Sequence, residues 1–156
     1  MVVLGTLILW FGWFGFNAGS TLGMSGANVE LAGMVSVNTM LAASGGGLVT
    51  FVLVSDFSHD HPNYSVGAMC NGILAGLVGI TAPCGNVNNG NSIIIGMIGG
   101  MFYVAVSNLM VKLKIDDPLD AFAVHCGAGF WGVLAVGFFD KDYGLFYGNG
   151  LNQLGV

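Results

Sequence analysis

Five long apolar stretches make up most of this chain, and their few charged residues, Glu30, Lys112 and Asp120, lie within three residues of an end. They cover about residues 1–20, 29–54, 66–83, 92–112 and 118–139. As α-helices at about 1.5 Å per residue, such stretches match a hydrocarbon core of roughly 30 Å. A membrane β-barrel needs short segments of alternating polarity, and the sequence has none. The expected fold is all-α: a polytopic membrane bundle of about five transmembrane helices, forming one domain over residues 1–156.

Composition supports this reading. Only 7% of residues are charged and 54% are hydrophobic, whereas soluble domains carry roughly 25% charged residues. Mean hydropathy is +0.80. The 27 glycines suit close helix packing in lipid. Gly15/Gly19, Gly72/Gly76 and Gly96/Gly100 are spaced as small-xxx-small pairs. The bases are Lys112, Lys114 and Lys141, too few to neutralise a phosphate backbone, so nucleic acid is not an expected partner. Two lysines against one place the 112–117 connection inside and the loop after Phe139 outside. The sequon at Asn63 then lies on the inner side. The chain opens and closes within apolar sequence, as expected of a piece of a longer protein.

Few residues carry candidate chemistry. Cys70, Cys84 and Cys126 lack metal or disulfide spacing. His59-Asp60-His61 has two imidazoles but no second motif, so no metal site is expected there. The sequence has no nucleophile elbow, phosphate loop or redox motif, so neither an enzyme nor a cofactor is expected.

His125 is different, because it lies inside the fifth apolar stretch. An ionisable group at membrane depth is a functional candidate by default. Its residue spacing leaves two readings, a histidine hydrogen-bonded to a neighbouring helix or a pore-lining, proton-relaying imidazole. Helical spacing puts it on a face with Pro118, Ala121, Phe122, Gly129 and Gly132. Pro118 suits a first helical turn, Asp116 or Asp117 suits its cap, and Asp120 suits an interhelical bond. In the first stretch, Trp13, Phe16, Asn17 and Ser20 share one helical face. That face reads either as a cation–π approach to a pore or as an interfacial aromatic belt with a polar end. Asn38-Thr39 is a polar pair expected to bond between helices, and Pro83 a helix stop.

GWFGFNAGS (12–20) and DDPLDAFAVHCGAGFWG (116–132) resemble signature segments of the ammonium transporter (Amt) family. NTMLAASGGG (38–47) and NGILAGLVGITAPCG (71–85) are similar to its intervening segments. The resemblance implies one half of an inverted-repeat subunit, helices six to ten of eleven. It implies a plasma-membrane homotrimer conducting ammonium or ammonia, with methylammonium as an analogue. His125 matches the second of the family's twin pore histidines. Ser20 matches the outer recruitment serine, Phe16 a gate phenyl and Trp13 a pore-lining tryptophan. Where the family often has Gly-Val-Cys-Gly after the histidine, this chain has Cys126-Gly127-Ala128-Gly129, small residues for small. The alternative within the family is an ammonium sensor with little conduction. A membrane scaffold or redox-complex subunit fits less well, since haem or quinone ligand patterns are missing beyond one histidine.

Overall fold

A computed structural model describes residues 1–58 and 63–147. The His59-Asp60-His61 cluster and the end of the chain from residue 148 lie outside the described residues. Four α-helices come first: α1 (Val2–Gly19), α2 (Ala27–Val54), α3 (Val66–Thr81) and α4 (Asn89–Leu113). The fifth helical run begins at residue 121, widens into a π turn at Ala123–Gly127 and continues as α5 (Ala128–Phe139). A 3₁₀ turn at Leu145–Tyr147 follows. Among the described residues the only β pairing is an isolated bridge between Asp56 and Asn63. The fold is an all-α helical bundle. Three helices, Val2–Gly19, Asn28–Val54 and Asn89–Leu113, are long and apolar enough to cross a membrane. Val66–Thr81 is apolar but shorter, and the fifth run, 123–139, likewise.

The helix ends follow local chemistry. Lys114 adopts a left-handed conformation (φ 58°) while Ile115 N–H donates to Met110 O at 3.0 Å, which closes α4 with a Schellman-type turn. The Ser65 hydroxyl accepts from Ala68 N–H and caps α3.

At the centre of the bundle α2 lies against both α3 and α4, and glycine decides how closely. A Cβ built on Gly76 or on Gly96 would strike the Ala42 carbonyl, and one on Gly46 would strike Gly72 O. One on Gly100 would come within 2.8 Å of Gly46 O. Two of the three small-residue pairs therefore let backbone meet backbone. The third does not: Gly15 and Gly19 have nothing within 4 Å.

Two polar residues of α2, Asn38 and Thr39, are fully buried and bonded. Asn38 donates to Cys84 O (2.9 Å) and Val87 O (3.0 Å), tying α2 to the α3–α4 connection. Thr39 donates to Val35 O and accepts from Asn17. A second face of α3 and α4 receives α5. Its Trp131 packs with Ile80, Val87, Ile95, Ala135 and Phe139, and the Trp131 indole N–H donates to Ile95 O at 2.9 Å.

At the end of α5, Asp140 is buried and joins two connections. Asn86 donates to Asp140 Oδ2 at 2.8 Å, and the Asp142 and Tyr143 amides donate to Oδ1. Burial alone would raise this carboxyl, but those hydrogen bonds outweigh it and hold it below its ordinary value.

The fifth helix does not begin at Pro118. Pro118 and Leu119 lie in a turn closed by Asp120 N–H donating to Asp117 O (3.0 Å), and Asp120 is left-handed at φ 55°. A left-handed residue cannot continue a right-handed helix, so the helix starts after it. Pro118 is accordingly not a first-turn residue.

Candidate functional site: an apolar groove beside the π turn

A groove of about 600 Å³ runs between α1, α3 and the π turn. From α1 it is lined by Ile8, Leu9, Gly12, Trp13 and Phe16, and from α3 by Val78 and Thr81, with Ala82 just beyond. His125, Gly129 and Val133 line the opposite wall. The structure thus brings together His125, Trp13 and Phe16, from stretches more than a hundred residues apart in the chain.

Each aromatic side chain is set by its neighbours. The Trp13 indole N–H donates to Thr81 Oγ1 at 2.9 Å, and the Thr81 hydroxyl donates to Leu77 O at 2.7 Å. This relay turns the indole toward α3. Phe16 meets Trp13 edge to face, with ring centroids 6.2 Å apart and planes at 68°. Phe16 is 62% exposed at the rim. His125 is exposed on the groove side of the π turn.

Two residues of the expected α1 face lie elsewhere. Asn17 is buried and donates to Thr39 Oγ1 at 3.0 Å, so it faces α2. The reason is angular. At about 100° per residue, one step past Phe16 carries a side chain off the groove wall. Ser20 is exposed, its hydroxyl donates to Phe16 O at 2.6 Å, and it lies one turn beyond the groove lining.

The fifth helix also departs from the expected face. Gly129 lines the groove with His125, but Gly132 is turned onto α3, where an added Cβ would lie 2.7 Å from Gly79 O. Val133 takes its place in the wall. A π turn inserts one residue relative to α-helical spacing, which rotates everything after it. Sequence reading assumed a uniform period and so missed Val133. Thr81 was passed over as well, beside the helix stop at Pro83. A hydroxyl at the end of an apolar stretch, two residues before Pro83, was the available clue.

The carboxylates sit at the entry to this helix. Asp117 Oδ2 accepts from Phe122 N–H (3.0 Å) and Ala123 N–H (3.2 Å), covering two first-turn amides from outside the helix. Asp116 is exposed. Asp120 Oδ2 accepts from Tyr103 OH (2.9 Å) and Asn71 Nδ2 (3.4 Å), and Oδ1 from Ser107 Oγ (2.8 Å). This cluster lines a separate polar cavity of about 610 Å³, where α2 ends and α3 begins. Among the described residues there is no group of three His, Cys, Asp or Glu able to hold a metal.

Chemically, the groove offers aromatic faces, one hydroxyl and one imidazole in otherwise apolar walls. That suits a small solute that hydrogen-bonds weakly or presents a cation to π faces. Comparison with known proteins gives this surface a context. The chain is 44% identical over 145 residues to Ammonium transporter Amt2 of Archaeoglobus fulgidus, covering 92% of this chain and 30% of that protein. It is 36% identical to tomato (Solanum lycopersicum) Ammonium transporter 1 member 1, covering 100% of this chain and 36% of that one. The crystal structure of Candida albicans Mep2 superposes with TM-score 0.83 at 35% identity, over 98% of this chain and 35% of Mep2. A structure described as a Sensor Amt Protein gives 0.82 at 38% identity, over 98% of this chain and 37% of that one. The chain spans about a third of the length of these relatives. The profile of the Ammonium Transporter Family matches residues 1–156, the groove and the bundle that frames it alike, and the chain belongs to that family.

Proposed function

We propose that this chain is the second five-helix half of an ammonium transporter, and that its groove is one wall of the pore. The observation that carries this reading is the meeting of His125, Trp13 and Phe16 in one apolar groove, in a chain of this family. The other wall, with the first of two pore histidines, belongs to a half outside this sequence, as inverted-repeat transporters place the pathway between repeats. The intact protein is a plasma-membrane homotrimer.

Ammonium is drawn to the outer end by aromatic faces and the Ser20 hydroxyl, then loses water at Phe16. Burying an unpaired cation in apolar surroundings costs several kcal/mol at least, so roughly that much must be offset or avoided. Deprotonation at the gate avoids it. The neutral species then passes the Trp13 indole, and the His125 imidazole exchanges a hydrogen bond with it. The proton either crosses separately or returns outside.

His125→Ala in the full-length protein is the test. Methylammonium uptake falls, or exclusion of K⁺ weakens, when normalised to protein in the membrane. If neither uptake nor K⁺ exclusion changes, His125 has no pore role. A second reading, an ammonium sensor that conducts little, is favoured by the likeness to the Sensor Amt Protein. Proteoliposome flux separates the two: a sensor binds ammonium with flux near that of empty vesicles.

A further inference from the structure

We infer that Asp120 is the positioning residue for His125, because it fixes one end of the π turn that carries the imidazole. This rests on the pore role proposed for His125.

The fifth helical run is held at both ends. At the far end, Trp131 is bonded to Ile95 O, Ala128 and Ala135 are fully buried, and Gly132 lies against the Gly79 carbonyl. Sliding residues 128–135 along the bundle would break that indole bond and drive side chains into backbone. At the near end, the Asp120 carboxylate is shared between Tyr103 and Ser107 of α4 and Asn71 of α3. The backbone of Asp120 is left-handed, and its carbonyl accepts from Val124 N–H at 2.9 Å as the first helical bond. Asp120 therefore sets both where the helix begins and how it is turned.

Between these anchors the residues form a π turn, the wider arrangement that accommodates one residue more than α-helical spacing. His125 sits in its middle, five residues from Asp120. Ala123 and Val124 are buried against Tyr103, while His125 is left facing the groove. Releasing the near anchor lets the extra residue unwind toward the amino end. An α-helical turn then forms, and the imidazole rotates away from the Trp13 wall by roughly the 100° of one residue.

The three donors to Asp120 are neutral, and the carboxylate does not touch the groove. Its effect on a permeating solute passes through His125. A merely structural role would lower the amount of folded protein without changing what each molecule does.

The experiment is a double-mutant cycle in the full-length protein, reading ammonium flux and ammonium-over-K⁺ discrimination per folded molecule. Asp120→Ala reduces discrimination or flux on the order of a hundredfold, since a misplacement of about an ångström already costs that much and the rotation moves the imidazole further. Asp120→Asn, which keeps one acceptor oxygen, falls between. In a His125→Ala background the Asp120→Ala effect disappears. Tyr103→Phe and Ser107→Ala each remove one donor and give smaller shifts in the same direction, and they carry the test if Asp120→Ala does not fold. Unchanged per-molecule flux and discrimination in these variants overturns the inference. So does an Asp120→Ala effect that persists in full without His125. If His125→Ala itself changes nothing, the pore reading fails first, and the two failures are thereby distinct.

Discussion

The two sides of α3 follow opposite rules. Toward α2, its glycines abut backbone, and no larger side chain fits. Toward α1, its Val78 and Thr81 line an open groove with room for a solute. Both sides use small residues, so smallness alone says nothing of purpose. What differs is what the small residue faces. Gly76 and Gly96 meet the Ala42 carbonyl, whereas Gly12 meets nothing within 4 Å. In one place a missing side chain permits contact, and in the other it leaves space.

Substitutions can break or sharpen that contrast. The largest effect is expected on the closed side. Gly96→Val forces α4 off α2 at a cost of more than about 3 kcal/mol, because the obstacle is backbone and cannot rotate away. Its readout is loss of monodisperse protein after detergent extraction. Wild-type yield would mean that α2 and α4 are not in backbone contact. On the open side, Gly12→Leu leaves yield intact and fills the groove. Methylammonium uptake drops by roughly tenfold, equivalent to about 1.4 kcal/mol of barrier. Normal uptake with normal yield would show that the solute goes elsewhere.

Thr81→Val comes next. It keeps the shape but removes the acceptor for the Trp13 indole, a loss of about 1 kcal/mol. Indole fluorescence shifts as Trp13 loosens, and uptake falls only partly. An unchanged spectrum would separate Thr81 from the groove. The smallest effect is at Asp140, outside both sides. Asp140→Asn lowers thermal stability at neutral pH by about 1 kcal/mol. A carboxyl held below its ordinary value stabilises the fold above that value and stops doing so as pH falls through the depressed one. The difference between wild type and variant therefore closes as pH is taken below 3.8. A gap that persists under acid would exclude the charge as its source.

Much of this bundle was legible in the sequence. Apolar length marked the five helical stretches, because a stretch that buries no charge has few other ways to satisfy its backbone. The Asn38-Thr39 pair announced interhelical bonds, because polar groups in apolar sequence need partners. The meeting of Trp13 and Phe16 with His125 was legible only through the family resemblance. Spacing gives the face a residue occupies and not the helix it will meet. The start of the fifth helix was not legible, since Pro118 fits a first turn as well as a tight turn, and the left-handed Asp120 decided between them. The π turn was hidden for a related reason. It comes from fixing both ends of the segment, which is a property of the packed bundle and not of residues 123–127 alone.

The backbone contact of α2 with α3 and α4 has a mechanical consequence. Helices separated by side chains slide past one another by changing rotamers, which is how shear motions accumulate. Helices keyed through Ala42 and Gly46 have no rotamers to change at the contact. They translate as one body. A hinge, by contrast, has a natural place in the 20–26 link after α1, where Leu22 and Gly26 carry positive φ, although the Trp13–Thr81 and Asn17–Thr39 bonds would have to break first. The lever that such a hinge would swing is the face bearing Trp13 and Phe16.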